Sequence, residues 1–395
     1  MSLPKKERFD LPDGIIYLDG NSLGPLPRTA AERVTRVMRD EWGADLIKAW
    51  NSAGWMDLPR VVGDRIGALI GAPEGSVATG DTLSIKVFQA LAAGVQMRPG
   101  RRVILSDTGN FPSDLYMAQG LIDTIGGGHQ LRLVAPEEVM ASITDDVAVV
   151  LLTQVDFRSG RMHDMAALTR AAQDAGAVMI WDLAHSAGAV PVDMAASGAE
   201  FAVGCTYKYL NGGPGAPAFI YARPDLVEGL RPALAGWLGH AAPFDMDLTY
   251  RPAMAAERLR VGTPAILQLS VLQEALAIWD GVDMARLRAA SVALSERFIS
   301  EVEARCPQLT LASPRAADQR GSQVSFAFEH GYPVMQALIA RGVIGDFRAP
   351  DILRFGFAPL YLDMSDVIRA AEIIDEVMKG EIWRAPEYNK RARVT

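Results

Sequence analysis

Apolar residues along this chain fall into two alternating rhythms. Short runs with almost no polar break, VAVVLLTQV at 147–155 and AVMIW at 177–181, are too short for a core helix and rich in β-branched residues. They are predicted as strands buried on both faces. Between them, apolar residues recur every three or four positions, as in MHDMAALTRAAQDAG, an amphipathic helix closed by Gly176. The same reading predicts strands at 101–107, 131–134, 201–206 and 217–223. It predicts helices at 27–42 (with Ala31, Val34, Val37 and Met38 on one face), 58–70, from Leu83 onward, near 136–142, and from Thr263 and Pro264 to Trp279. Strands alternating with helices at this spacing argue for an α/β fold, a mainly parallel sheet covered on both faces.

From about residue 280 the rhythm changes. One long helical pattern, MARLRAASVALSERFISEVEARC, precedes strands at 323–328 and 352–361 and helices at 332–343 and from Ser365 to Lys379. That mixture predicts a smaller α+β domain. The basic tail from Glu381 reads as a solvated terminus.

Composition narrows the function. The 395 residues are 49% hydrophobic, enough to bury a large core, and their net charge of −8 argues against nucleic acid or an anionic membrane as partner. Two cysteines make no disulfide framework or zinc site, and five scattered histidines carry no metal-ligand spacing. The first ten residues lack the apolar core of a signal peptide, and no stretch reaches the ~20 apolar residues of a membrane span. The expected location is cytoplasmic.

The candidate chemistry concentrates in WDLAHSAGAVPVDMAASGAEFAVGCTYKYLNGGPG, residues 181–215. Asp182 stands where a buried strand ends, the edge at which α/β sheets collect ligands. An unpaired carboxylate there is costly, so it needs a ligand or a buried cation. Lys208 follows, between Tyr207 and Tyr209 and before a glycine-rich turn. A lysine amine in a desolvated pocket can form a Schiff base with an aldehyde. A facing aspartate suits the pyridine nitrogen of pyridoxal phosphate (PLP). The plainer reading makes Lys208 a surface residue and Asp182 the cap of a helix starting at Leu183. A second candidate is the turn before Leu83, where a helix N-terminus with the hydroxyls of Thr82 and Ser84 suits a phosphate, or is a simple N-cap by Asp81 or Thr82. The hydroxyl of Thr153, near a strand end, is within reach of a ring bound there, or is a β-branched strand filler.

The segments DLAHSAGAVP and YKYLNGGPG, with YLDGNSLGP near the start, FPSD at 111–114 and LRFG…APLY at 353–361, closely resemble kynureninase. That family consists of fold-type-I PLP enzymes of the class V aminotransferase group. The resemblance implies a large PLP-binding domain at 58–279, a small domain at 280–395, and an arm at 1–57 associated with the small domain. It implies that strand 217–223 returns antiparallel. It also implies a homodimer hydrolysing L-kynurenine or its 3-hydroxy form to an anthranilate and L-alanine, in tryptophan degradation and NAD biosynthesis, without a metal.

Carried over residue by residue, the resemblance makes Lys208 the cofactor lysine and α-proton base, Asp182 the pyridine partner, and Tyr207 a phosphate holder and proton relay. His185 orients the cofactor or Asp182, or is a structural hydrogen-bonder. Leu83 (through its backbone N–H) and Ser84 meet the phosphate. Phe111 stacks on the ring with Asp114 beside it, where Phe111 is otherwise core and Asp114 an N-cap. Trp237 reaches the phosphate from the second subunit. Thr263 lies beside cofactor and substrate, a role compatible with capping its helix. Arg354, otherwise a sheet-edge ion pair, takes the substrate carboxylate, and Ser22 touches substrate or only forms a turn. Trp42, Trp50 and Trp55, in a loop-like setting, are core, interface or substrate pocket. Another class V enzyme, an aminotransferase or a cysteine desulfurase-like lyase, is the alternative.

Overall fold

The computed structural model describes residues 3–391. The chain enters through an arm carrying strand β1 (Ile16–Tyr17), then helices α1 (Ala30–Arg36) and α2 (Leu58–Leu69). A seven-stranded sheet follows. In chain order it is β2 (Val77–Thr79), helix α3 (Leu83–Gln96), β3 (Val103–Asp107), α4 (Pro112–Ile125), β4 (Gln130–Val134), β5 (Val147–Thr153), α5 (Met165–Asp174), β6 (Val178–Asp182), β7 (Phe201–Gly204) and β8 (Phe219–Ala222). The strands lie side by side as β2-β8-β7-β6-β5-β3-β4. Every pair from β4 to β7 is parallel, and β8 runs antiparallel to β7 and β2.

The unbroken apolar runs became the central strands. All positions of β5 and β6 are buried, because parallel connections lay helices over both faces. Trp181 vanishes from solvent with its indole N–H donated to Thr169 Oγ1 at 3.0 Å, so its bulk is buried without stranding a polar atom. Helix α3 packs so tightly on the sheet that a Cβ at Gly94 would lie 2.8 Å from the Val149 side chain. Parallel order brings the carboxyl ends of β3, β5 and β6 to one edge, and the last rung there pairs Thr153 with Asp182.

Helices α6 (Ile266–Ala277) and α7 (Met284–Arg305) lead to a second sheet. Its elements are β9 (Thr310–Leu311), β10 (Gln323–Ala327), α8 (Gly331–Ile339), β11 (Val343–Ile344), β12 (Asp346–Arg348), β13 (Ile352–Gly356) and α9 (Met364–Lys379). Antiparallel β12-β13-β10-β9 form the sheet, and β11 pairs in parallel with β1 of the arm. Phe298 of α7 fills the space beneath it against Phe326, Phe355 and Phe357. The arm also touches the Lys208 turn: Gly24 donates its N–H to the Tyr207 carbonyl at 2.7 Å. A Cβ at Gly24 would lie 2.4 Å from the Lys208 carbonyl oxygen, so glycine is required.

Several expectations are corrected. The tryptophan-rich stretch is helical, a wide-turned π segment over Val37–Asp45 followed by short turns of helix. Ala31 and Met38 face solvent in the single chain, while Ala30, Arg33 and Val37 are the buried positions. Trp55 is core, its indole bonded to Glu41; Trp50 packs edge-on against it, and Trp42 is exposed. Strand β13 stops at Gly356, because residues 357–361 turn away. The tail is partly anchored, with Trp383 buried and stacked on His330 at 4.8 Å; residues 392–395 lie outside the described residues. No helix among the described residues is long and apolar enough to cross a membrane.

Candidate active site

Asp182 ends β6 with only 2% of its surface exposed. Its Oδ1 accepts the Ala184 N–H at 2.8 Å. Residues 183–190 form successive turns, so Asp182 caps no helix. Burial pushes its carboxyl above the usual range, and the charge of Lys208 pulls back. Lys208 itself is half-buried in the turn after β7. Its Nζ lies 2.9 Å from His185 Nε2 and 5.8 Å from the Tyr207 ring centre. Burial, and then Lys208, hold His185 well below the ordinary histidine range, so the imidazole is neutral. Its other ring nitrogen, Nδ1, is a buried atom with no partner among the described residues.

Asp114 completes this cluster from the first turn of α4. Phe111, not Asp114, occupies the N-cap position. The Asp114 carboxyl is 1% exposed, and its Oδ2 has no partner among the described residues. Burial, then the neighbouring charge of Asp182, push it well above the carboxylate range. A raised acid favours the folded state below its unfolded value and loses that contribution as pH climbs through the folded one. In the cofactor-free protein, Asp114→Asn should therefore raise the melting temperature by roughly 2–4 °C at pH 8 and by less at pH 5. Scanning calorimetry at the two pH values checks this; an equal or larger gain at pH 5 would contradict it.

Sequence reasoning missed Asn110. Its Oδ1 accepts the Phe111 N–H at 2.7 Å and lies 2.5 Å from Thr153 Oγ1, while its Nδ2 donates to Ser106 Oγ at 3.0 Å. Thr153 is also 3.3 Å from Asp182 Oδ2, but one hydroxyl has one proton, and the shorter contact takes it. Asn110 thereby ties the start of α4 to the end of β5. The available signal was an asparagine just before a helix. Phe111 stays 43% exposed, braced edge-on by Phe157 at 5.1 Å.

Beside this cluster two helices begin together. Leu83 opens α3 behind Thr82, whose side chain makes no cap bond, and Ser84 Oγ lies 2.9 Å from Ser113 Oγ in the first turn of α4. Free N–H groups at such ends favour a phosphate. Lys86, also missed, is fully buried on α3 and binds Gln89 Oε1 at 3.0 Å, the Leu259 carbonyl at 3.1 Å and Asp81 at 3.3 Å. Burial lowers it to about 8. Tyr207 is half-buried, and burial, then Cys205, push its phenol up.

Trp237 and Thr263 stand elsewhere. Together with Ile47, Trp50, Met56 and Phe244 they line a cavity of about 430 Å³, whose lining includes none of Lys208, His185, Asp182 and Asp114. Thr263 does not cap α6, whose cap position is Ala265.

Arg354 is 2% exposed on β13, directly opposite Asp346 on β12. Its Nε donates to Asp346 Oδ1 at 2.6 Å, Nη2 to Asp346 Oδ2 and to Ser22 Oγ at 2.9 Å, and Nη1 to the Phe157 carbonyl. The ion pair is thus internal, and Ser22 does more than form a turn: its hydroxyl donates to Asp346 Oδ2 at 2.5 Å.

The profile of the Kynureninase C-terminal domain matches residues 287–374. A kynureninase of Burkholderia pseudomallei is 50% identical over 99% of this chain and 96% of its own. Among solved structures, a cysteine desulfurase from Thermococcus onnurineus superposes with a TM-score of 0.80 at 19% identity, covering 96% of this chain and 99% of the other. The enzyme C-DES, solved with glycine covalently linked to its PLP cofactor, gives 0.80 at 16% identity over 94% of this chain and 99% of its own. Both share the fold, a fold-type-I α/β architecture with a smaller second sheet. Identical at half its positions to a kynureninase along almost its whole length, the chain belongs to the kynureninase family.

Proposed function

We propose that the protein hydrolyses L-kynurenine, breaking the bond between its β-carbon and ketone carbon to give anthranilate and L-alanine, with PLP held on Lys208. The observation that carries this reading is the cluster of half-buried Lys208 with buried His185, Asp182 and Asp114, in which His185 Nδ1 and Asp114 Oδ2 have no partner among the described residues. Buried polar atoms are seldom left so, and a bound polar ring fits them. When bound, PLP supplies an aldehyde for the lysine amine and a protonated pyridine ring that takes up charge from the substrate α-carbon.

The residues divide the remaining work. Lys208, with its amine free, would take the α-proton, and His185 Nε2, 2.9 Å away, would steady that amine. Asp182 would keep the ring nitrogen protonated, with Asp114 and Thr153 beside it. Phe111 covers the ring face, worth about 0.5–1.5 kcal/mol beyond burial. The Leu83 N–H and Ser84 hold the phosphate, with Tyr207 beside it as holder and proton relay. Arg354 and Ser22 form the carboxylate end of the substrate site.

The reading includes a cytoplasmic homodimer in which Trp237, with Thr263, serves the partner's site. In its support, Trp237, Phe244, Met246, Leu248 and Met254 are exposed apolar side chains in one segment. It also keeps the arm of residues 1–57 with the small domain 280–395 and the cofactor domain between them at 58–279; the β1–β11 pairing supports that grouping. Mixing dissociated Lys208→Ala and Trp237→Ala proteins should regain about a quarter of wild-type activity, since half the reassorted dimers carry one intact site. No gain over the separate variants would overturn the shared site.

The desulfurase alternative requires a mobile nucleophilic cysteine. Cys205 and Cys306 are both buried, and burial pushes both thiols up. The test of function is product analysis with L-kynurenine. Equimolar anthranilate and L-alanine are expected, and a keto acid in place of alanine would mean amino transfer instead.

A further inference from the structure

Arg354 is poorly placed to hold a substrate carboxylate alone. Four of its N–H donations go to Asp346, Phe157 and Ser22, out of the five a guanidinium carries. Two residues from Asp346, and so on the same face of β12, stands a second arginine, Arg348. Its Nη2 reaches the same Asp346 Oδ2 at 2.7 Å, and its Nη1 donates to the Phe347 carbonyl at 3.2 Å. Unlike Arg354, its side chain is 35% exposed.

The charges around these arginines do not balance. Asp346 is a committed anion: against the burial that pushes it up, Arg354 and then Arg348 hold it below the carboxylate range. The other carboxyl here, Asp19, is pushed to about 7 by burial and then by Asp346, and its Oδ1 is buried with no partner among the described residues. Two permanent guanidinium charges therefore face one full anion and one acid that is partly protonated at neutral pH. After burial and Lys208, Arg354 and Arg348 are the charges that keep His185 neutral, so this cation surplus is felt at the lysine site. The cluster lacks one anion on the side where Arg348 is open.

We propose that Arg348 is a substrate-binding residue, the second guanidinium on the amino-acid carboxylate, with Arg354 the buried member that sets Asp346 and Ser22 in place. This rests on the kynurenine reading above and names the group that reads the carboxylate within it.

The test uses the holoenzyme, with L-kynurenine as substrate and its decarboxylated amine, kynuramine, as competitive inhibitor. Arg348→Gln should raise KM by about 10- to 100-fold, the worth of one or two charge-assisted hydrogen bonds, while kcat stays within about threefold. The inhibition constant of kynuramine, which has no carboxylate for Arg348 to meet, should stay within about twofold of wild type. Arg348→Lys, which keeps the charge and loses the fork, should recover part of the KM. A KM unchanged in Arg348→Gln overturns the inference. So does a rise shared equally by kynuramine, which would mark a purely structural role. Wild-type enzyme inert to L-kynurenine would instead overturn the functional reading itself, so the two failures are told apart.

Discussion

Lys208→Ala is expected to lower kynurenine turnover by about 10⁴-fold, the upper range of a general base, because it removes the proton acceptor and the cofactor anchor together. Charge alone cannot replace it. Lys208→Arg keeps a cation 2.9 Å-scale neighbours can sense but never deprotonates, so it should be as inactive as the alanine variant. Adding a small primary amine to Lys208→Ala should recover part of the lost rate, since the vacated space beside His185 Nε2 admits one. Steady-state kcat, with circular dichroism to confirm the fold, checks the set. Activity within tenfold of wild type in Lys208→Ala would remove Lys208 from the mechanism.

The second large effect falls on Asp182. Asp182→Asn keeps the shape and the Ala184 contact while removing the charge proposed to face the pyridine nitrogen. Breaking a buried charge pair costs about 3–5 kcal/mol, so kcat should fall by roughly 10²–10⁴-fold. A linked effect separates this from simple misfolding. The Asp182 charge helps push Asp114 up, so the variant should bring Asp114 back toward the carboxylate range. The stability gain of Asp114→Asn at pH 8 should then shrink in the Asp182→Asn background. A pair of changes that add without interaction would contradict the coupling.

Much of this architecture was legible in the chain. The strands β5 and β6 announce themselves because both faces are covered, so nearly every position is apolar and each run ends at a polar residue, Thr153 or Asp182. Asp182 stands out for the same reason, as a charge at the buried end of such a run. The arginine pair was less legible. Strand β12 is three residues long, and its register with β13, which sets Asp346 against Arg354, is decided by the sheet rather than by local pattern. The short polar turn at 349–351 between DFR and ILRF was the available sign of a hairpin.

Met38 misled for a different reason. A helical stripe says which residues share a face, not what covers it, and the wide turns after Arg36 change which face is buried. Thr263 was read as a helix cap from residue type, yet the helix starts beyond it at Ile266. Asp19 and Asn110 escaped because their surroundings are assembled from distant segments, an arm against the small sheet in one case and a helix start against a strand end in the other.

The most direct test of the central claim is to reduce the PLP-loaded protein with borohydride, digest it, and weigh its peptides. The account predicts that the cofactor mass appears on the peptide containing Tyr207 and Lys208, at Lys208, and that the reduced protein no longer consumes L-kynurenine. Cofactor mass on another lysine, such as the buried Lys86, or turnover that survives reduction, would contradict it.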